Sequence, residues 1–312
     1  MLKQNYCMKN IAYTLIWILL FAVIGCSVAK SSDTPTSILW EVKLKSDTSK
    51  VAYLLGSIHI GKPGLYPLNP VIMNVWSKCD ALSVEINILD INTAALFGDL
   101  SLIEKFISYT EKLSDKLPPD LYPKVKNALV KIGIPNDFID VLTPLAAAMV
   151  LELGDASLFT TDSTDVVDGI DMYFLNQAKN ENKPIYELET ISVQVTALEK
   201  LNENIIQYLQ TQIDKLDNTE TDIDELFTAW KKGDVKSIEN MINIPFSNDS
   251  EVNKKIMDAL LYDRNIDMAK KIEGYFLQEK TFFVVVGSAH YIGQKSIIDI
   301  LQKTGLYYIR RL

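Results

Sequence analysis

Two short apolar runs, far apart in the chain, each lead into the same Gly-Ser-x-His sequence. The first is Val51–Leu55, followed by Gly56-Ser57-Ile58-His59, and the second is Phe282–Val286, followed by Gly287-Ser288-Ala289-His290. Runs of β-branched and aromatic residues of this length predict buried strands, and the glycine marks the turn that ends each strand. We call residues 56–59 and 287–290 the histidine cassettes; they contain the only two histidines of the 312 residues.

The position of the histidines predicts a shared functional site. Open α/β sheets bind ligands beyond the carboxyl ends of their strands, which is where His59 and His290 are expected. A single histidine at a strand end is more often a packing residue. Two histidines in matched segments 231 residues apart, with none elsewhere, favour function. Imidazole transfers protons near neutral pH and also binds transition metals, so the pattern allows both kinds of chemistry.

The first 25 residues predict a targeting segment that is separate from the fold. Lys3 and Lys9 precede an apolar stretch from Ile11 to Gly25, whose 15 residues are fewer than the roughly 20 that a membrane-spanning helix needs. The stretch leads into Cys26 in a sequence that resembles a bacterial lipobox. We therefore expect residues 1–25 to be a lipoprotein signal peptide and Cys26 to be lipidated. An uncleaved anchor is the alternative, and either one predicts an exported protein held at the bacterial cell membrane.

The rest of the chain is acidic and predicts one folded domain. Residues 26–37 are polar and predict a lipidated tether, which leaves residues 38–312 for the fold. Without residues 1–25 the chain has 29 basic and 40 acidic residues, a net charge of −11. Nucleic-acid binding needs a basic face, so we expect no nucleic-acid partner. With Cys26 lipidated, Cys79 has no partner for a disulfide, and its apolar surroundings predict a buried thiol.

The order of the elements predicts an α/β domain with a central, mostly parallel sheet, flanking helices and large helical insertions. Strands are predicted at Ile38–Leu44, Val51–Gly56, Ala81–Ile86, Lys183–Glu189, Thr281–Gly287 and Leu306–Arg310. Helices are predicted at Asn69–Ser77, Asn92–Tyr109, Pro119–Ile132, Thr143–Leu153, Val166–Asn180, Ile191–Lys215, Thr221–Lys232, Val235–Ile242 and Gln294–Thr304. The segment Asp249–Gln278 is predicted to be one long helix or two joined helices. The insertions cover about residues 90–162 and 191–255. A strand–helix–strand unit from Val51 to Ile86 would place His59 and Glu85 on neighbouring strands at one edge.

These motifs resemble those of the TraB/GumN family, which includes the Tiki metalloproteases. The similar residues are Leu55–His59, Tyr66-Pro67-Leu68, Glu85, Gly169-Ile170-Asp171, Leu188-Glu189-Thr190, Gln194, Arg264-Asn265 and Val286–His290 with Gly293. The resemblance implies a Tiki-like fold, distantly similar to erythromycin esterases, and a membrane-tethered protease that uses manganese or cobalt. By position, it implies that His59, Glu85 and His290 carry the activity and that Arg264 faces the same pocket.

The leading hypothesis is metal-dependent hydrolysis of a peptide, with manganese, cobalt or zinc as the cofactor. Two imidazoles and one carboxylate form a three-ligand set with an open position, as hydrolytic metal sites require. Glu85 is either a ligand or the general base. For Arg264 the sequence leaves three roles open: it binds a substrate carboxylate, stabilises an oxyanion, or only forms an ion pair.

Three further side chains are candidates for orienting this site through hydrogen bonds. Ser57 and Ser288 precede the histidines by two residues but do not lie in Gly-x-Ser-x-Gly, which disfavours a nucleophilic role. Glu189 ends its predicted strand and is the third candidate. Asp171 is expected to be a helix residue with a structural bond. Two other functions stay open, namely capture of a peptide or small ligand without turnover, and metal-free ester hydrolysis with histidine as the base.

Overall fold

A six-stranded sheet forms the centre of the domain. The computed structural model describes residues 35–90, 104–158, 167–216, 219–243 and 251–312. The strands are β1 (Leu39–Leu44), β2 (Asp47–Ser57), β3 (Ile60–Gly61), β4 (Ala81–Val84), β5 (Val167–Asp168), β6 (Ile185–Glu187), β7 (Phe282–Gly287) and β8 (Tyr307–Arg311). The main sheet has the order β6-β4-β7-β2-β1-β8, and β3 pairs with β5 in a separate two-stranded sheet.

Four of the six main strands are parallel, which confirms the predicted fold class. β7 pairs in parallel with β2 on one side and with β4 on the other, and β4 pairs in parallel with β6. β1 is antiparallel to both β2 and β8. Every residue of β7 is buried, as expected for a strand covered on both faces.

The helices surround the sheet and fill the two long connections. They are α1 (Pro70–Trp76), α2 (Leu113–Lys116), α3 (Tyr122–Lys131), α4 (Asn136–Ile139), α5 (Pro144–Leu158), α6 (Ile170–Asn180), α7 (Ile191–Glu199), α8 (Ile205–Leu216), α9 (Thr219–Lys232), α10 (Val235–Asn243), α11 (Glu251–Met257), α12 (Asp263–Tyr275) and α13 (Ile297–Lys303). A π-helical turn, Asp258–Tyr262, joins α11 to α12. The start of α5 is as predicted, because the Thr143 hydroxyl caps the helix by accepting from the Ala146 amide at 3.1 Å.

Two apolar cores hold the domain together. The larger one packs the sheet against α1, α6, α12 and α13, and it includes Phe174 and Phe283, whose ring centroids are 4.8 Å apart. The smaller one joins the helical connections, with Val125 and Leu129 of α3 packed with Leu209 of α8. Ile256, at the end of α11, belongs to this second core. The helical connections therefore have an apolar interior of their own.

The structure corrects three details of the predicted elements. β7 lies between β2 and β4, so His59 and Glu85 do not follow neighbouring strands. The predicted helix Val166–Asn180 begins only at Ile170, because Val167–Asp168 form β5. The predicted helix Ile191–Lys215 is broken after Glu199, and the poor helix formers Asn202 and Asn204 are the first and last residues of a 3-10 turn. The predicted signal peptide and most of the tether, up to residue 34, lie outside the described residues, as do residues 91–103 of the predicted helix Asn92–Tyr109.

Cys79 is buried, as predicted. Its thiol donates to the Val75 carbonyl at 3.3 Å, and burial raises its pKa to about 12. A thiol of this kind stays protonated and unreactive at neutral pH. No helix within the described residues has the length and apolarity needed to cross a membrane.

Candidate active site

The carboxyl ends of the parallel strands bring the predicted site residues to one edge of the sheet. The register pairs Ser57 of β2 with Gly287 of β7, and Val84 of β4 with Val285 of β7. The two histidine cassettes and Glu85 therefore follow three adjacent strand ends. On the fourth strand, the chain continues past β6 so that the Glu189 amide donates to the Glu85 carbonyl at 2.9 Å.

His59, Glu85 and His290 meet above Gly287. A Cβ atom built on Gly287 would lie 3.3 Å from Nε2 of His59, 3.4 Å from Oε1 of Glu85 and 3.7 Å from Cδ2 of His290. Because Gly287 has no side chain, this space is left for another atom to contact all three groups. We call the space in front of the Gly287 Cα atom the histidine hollow.

A second segment fixes the backbone around His59. The short strand β3 after His59 pairs with β5, and the Ile170 amide donates to the Ile58 carbonyl at 3.1 Å. A Cβ atom on Gly169 would lie only 2.1 Å from the His59 carbonyl oxygen. Only glycine permits this close approach, so Gly169 docks the first histidine cassette against the start of α6.

The His59 ring is held through its Nδ1 atom by Asp171. Nδ1 of His59 lies 2.8 Å from Oδ2 of Asp171. The Ser57 hydroxyl donates to the other Asp171 oxygen at 2.8 Å, which orients the carboxylate. The His59 side chain is 66% exposed, so the ring lies on the solvent-facing side of the site.

The His290 ring is buried and held by Asn265. Nδ1 of His290 lies 2.6 Å from Oδ1 of Asn265, and the Asn265 amide group donates to the Lys295 carbonyl at 2.9 Å. Burial lowers the pKa of His290 to about 4, although the Glu85 charge opposes this shift. His290 is therefore neutral at neutral pH.

Glu85 is held in its ionised form on the floor of the hollow. Its Oε1 atom accepts from the Gly287 amide and its Oε2 atom accepts from Arg264, both at 2.8 Å. Oε1 also lies 3.8 Å from Nε2 of His290. Burial alone would raise the pKa of Glu85, but the charges of His290 and Arg264 outweigh it and lower the pKa to about 2. At neutral pH, where His290 is uncharged, Arg264 and the Gly287 amide stabilise the ionised Glu85 carboxylate.

Arg264 bridges two largely buried carboxylates. It donates from Nε and Nη2 to Glu189 at 2.8 and 2.7 Å, in addition to its bond to Glu85. The side chains of Arg264, Glu85 and Glu189 are 14%, 13% and 2% exposed. Burial would lower the pKa of Arg264, but hydrogen bonding and attraction to the two carboxylates raise it above its usual value. Of the three roles that the sequence leaves open for Arg264, the structure shows the ion pair, and its side chains are largely buried.

The π-helical turn directs Arg264 toward these carboxylates. Nη1 of Arg264 donates to the Leu260 carbonyl, inside the π-turn, at 2.8 Å. Such turns are rare and occur often at functional sites, because they displace the side chains that follow. Gln194 of α7 donates to Glu189 at 3.3 Å and completes the surroundings of that carboxylate.

Ser288 and Trp230 each hydrogen-bond to the backbone of the first histidine cassette. The Ser288 hydroxyl donates to the Ser57 carbonyl at 2.8 Å, which joins the cassettes directly. Trp230 of α9 donates from its indole to the Gly56 carbonyl at 2.7 Å. Glu187, which precedes Glu189 by two residues, accepts instead from the Asn87 amide. Ser57 and Ser288 thus both use their hydroxyl protons in structural bonds.

Asp171 and Asn265 are the site residues whose roles sequence reasoning missed. The sequence predicts Asp171 as a helix residue with a structural bond and predicts no role for Asn265. Each contacts a histidine ring through its side-chain oxygen. Two features of the sequence could have indicated these roles. Asp171 directly follows Gly169-Ile170, and Asn265 is next to the only arginine before residue 310.

The side chains around the histidine hollow are of the types that bind a divalent cation, although they do not have the geometry of a formed metal site. Among the described residues, no group of three or more His, Cys, Asp or Glu side chains has metal-binding geometry. The donor types nevertheless match a hydrolytic metal, because two imidazoles and a carboxylate are ligands of such ions and Nδ1 of each ring is held by an oxygen. The formal charges of Glu85, Glu189 and Asp171 against Arg264 leave two negative charges, which a divalent ion would balance.

Comparison with known proteins connects this site to one family. The profile of the TraB/PrgY/gumN family matches residues 38–310. Metalloprotease TIKI1 of Danio rerio is 22% identical, over 90% of this chain and 64% of its own length. Metalloprotease TIKI2 of Xenopus tropicalis is also 22% identical, over 90% of this chain and 61% of its own length. The uncharacterized protein YbaP of Escherichia coli K12 is 22% identical, over 80% of this chain and 87% of its own length.

The family match covers almost all of the chain, whereas the individual relatives are distant. This chain spans less than two thirds of the length of the two TIKI proteins. No solved structure matches it significantly. The profile confirms the resemblance to this family, and the range that it matches contains both histidine cassettes, Glu85 and Arg264. This protein therefore belongs to the TraB/PrgY/gumN family.

Proposed function

We propose that this protein is a metal-dependent hydrolase that cleaves peptides outside the cytoplasm. The observation that carries the proposal is the meeting of His59 Nε2, Glu85 Oε1 and the His290 ring at the histidine hollow. Similarity to proteins named metalloproteases supports the same reaction class. The peptide substrate and the metal, which we propose to be manganese, cobalt or zinc, are parts of the proposal.

In this proposal, His59, His290 and Glu85 hold the metal. A divalent ion bound there polarises a scissile carbonyl and lowers the pKa of a water molecule. His59, on the exposed side, meets the substrate first, while the buried His290 stays neutral and keeps a lone pair available. Arg264 keeps Glu85 ionised and fixed, so the carboxylate serves as a ligand or accepts a proton without moving far.

Chelation and metal analysis test this function in the full-length protein purified in detergent. We expect hydrolysis of a peptide library that stops with a chelator and returns with manganese or cobalt. We also expect the wild type to retain more metal than the variant His59→Ala/His290→Ala, because two of three ligands are then lost. Equal metal content in the two proteins, or a wild type without hydrolysis after loading with each metal, would overturn the proposal.

One observation favours a second candidate, a metal-free hydrolase. Both Glu85 oxygens already accept hydrogen bonds, and His59 is paired with Asp171 in the manner of a general base and its orienting carboxylate. In that case His59 would activate water or a substrate hydroxyl directly. Hydrolysis that resists the chelator would identify this mechanism. Saturable binding of an unchanged peptide would instead identify a protein that only captures its ligand.

We also propose that the protein is exported and anchored to the bacterial membrane through a lipid on Cys26. The support is the lipobox-like sequence at Val23–Ser27 after the basic and apolar segment. Cells fed radiolabelled palmitate should label the wild type and the control Cys7→Ser, and should leave Cys26→Ser unlabelled and no longer bound to membranes. Equal labelling of Cys26→Ser and the wild type would refute the anchor.

A further inference from the structure

The hydrogen-bond partners of the two histidines determine which ring nitrogen of each carries a proton. For His290 the assignment starts from Lys295, whose carbonyl oxygen can only accept. The Asn265 atom that faces this carbonyl at 2.9 Å must therefore be the donating Nδ2. Oδ1 of Asn265 consequently faces His290, and the 2.6 Å contact requires a proton on Nδ1 of His290.

For His59 the same assignment follows from Asp171. A carboxylate oxygen accepts, and the Ser57 hydroxyl already donates to Oδ1 of Asp171. The 2.8 Å contact between Oδ2 of Asp171 and Nδ1 of His59 therefore takes its proton from the imidazole. The neutral His59 ring then has no proton on Nε2, the atom nearest the histidine hollow.

We propose that Asp171 and Asn265 are positioning residues that hold both histidines as the Nδ1–H tautomer, so that Nε2 of each ring carries a lone pair instead of a proton. A ring with its proton on Nε2 could neither bind a cation nor accept a proton there. The significance of the tautomer for catalysis rests on the proposed function. The tautomer itself does not, since it follows from the hydrogen bonds alone.

The surroundings of Asp171 and Asn265 explain why one histidine is held by a carboxylate and the other by an amide. Asp171 lies at the start of α6 with its side chain 18% exposed, where solvent and the Ser57 hydroxyl accommodate its charge. Asn265 is fully buried beside Glu85 and His290, where a further carboxylate would add an uncompensated charge. An amide supplies the same accepting oxygen without that charge, and its nitrogen donates to the Lys295 carbonyl.

The substitution Asp171→Asn tests the proposal with little change in shape. The new amide can turn its NH₂ group toward His59, and the Ser57 hydroxyl can rotate to donate or accept, so the fixed tautomer is lost. In enzymes where an aspartate orients a catalytic histidine, the equivalent exchange leaves the geometry intact but places the proton on the wrong nitrogen. The matched control is Asp168→Asn, three residues earlier, where the exposed carboxylate accepts from the side-chain amide of Asn176 at 3.2 Å.

Nitrogen-15 NMR of the imidazoles reads the tautomer directly, and the chain has only two histidines to assign. The full-length, metal-free protein is measured at alkaline pH, where the rings are neutral. We expect the wild type and Asp168→Asn to show protons on Nδ1 of both rings. Asp171→Asn should shift the proton of His59 toward Nε2 and leave His290 unchanged. A wild-type His59 with its proton on Nε2, or an unchanged His59 in Asp171→Asn, would overturn the proposal.

Activity supplies an independent readout. For Asp171→Asn we expect kcat/KM for the peptide to fall by roughly 10- to 100-fold, as for other groups that orient a metal-binding histidine, with an unchanged thermal midpoint. A merely structural role would lower the midpoint and leave the His59 tautomer as in the wild type. If the wild type shows no hydrolysis, the proposed function fails, whereas the NMR result still decides the tautomer.

Discussion

Replacing Gly287 with alanine should remove about 99% of the hydrolytic activity and leave the protein folded. The new methyl group would lie 3.3 Å from His59 Nε2 and 3.4 Å from Glu85 Oε1, in the space that a metal or substrate atom needs. Displacement of reacting groups by about 1 Å can cost on the order of 100-fold in rate. The backbone of Gly287, with φ −49° and ψ 136°, is one that alanine adopts without strain. The measurements are kcat/KM, metal content and urea unfolding.

Gly274→Ala is the matched control for this prediction. Gly274 lies in α12, and a Cβ atom there would meet no atom within 4 Å. Alanine favours helix over glycine by about 1 kcal/mol, so this variant should be fully active and slightly more stable. If Gly287→Ala kept wild-type activity and metal content, the histidine hollow would not be the reacting centre.

Replacing Arg264 with methionine should produce the largest loss of stability among single substitutions in the site. Methionine keeps much of the side-chain volume but leaves the largely buried Glu85 and Glu189 carboxylates without their shared cation. Removing one partner of a buried ion pair typically costs about 3–5 kcal/mol, because an uncompensated charge stays in the interior. We therefore expect the free energy of unfolding, measured in urea at neutral pH, to fall by about this amount.

Two further variants separate the loss of a buried cation from the loss of an exposed one. Lys303→Met removes an exposed partner of Asp299 in α13, where an ion pair contributes at most about 0.5 kcal/mol. Glu189→Gln, combined with Arg264→Met, removes one of the two stranded charges and should restore part of the lost stability. A cost for Arg264→Met no greater than that of Lys303→Met would show that the carboxylates are solvated and not held by Arg264.

The sheet was predictable because its strands have strong local signals. The apolar run of Phe282–Val286 and the glycine after it define a buried strand with a turn at its end, and both features are present. The acidic ends of the Ala81–Ile86 and Lys183–Glu189 segments likewise indicated residues at the sheet edge. The order of the strands was not predictable from such signals, so the position of β7 between β2 and β4 corrects the expected neighbours.

The partners of the histidines could not be predicted from local patterns. Asp171 contacts His59 only because Gly169 allows β5 and the start of α6 to dock on the first cassette, which is a tertiary contact. Asn265 lies in α12, after a π-turn that changes the direction in which the following side chains point. The apolar spacing of Asp249–Gln278 does not reveal that turn. Periodicity identifies which face of an element is buried, but not which polar group it meets there.

The central place of β7 also determines when the site can form. β7 comes from the last tenth of the chain, yet it is the only strand that hydrogen-bonds to both β2 and β4 in the described sheet. During synthesis, the first cassette and Glu85 emerge long before the strand that joins them. Closing so long a stretch of chain is entropically costly and slow. A chain that ended before residue 282 would lack both the second imidazole and the strand that joins the other two groups, so the proposed site could not form in it.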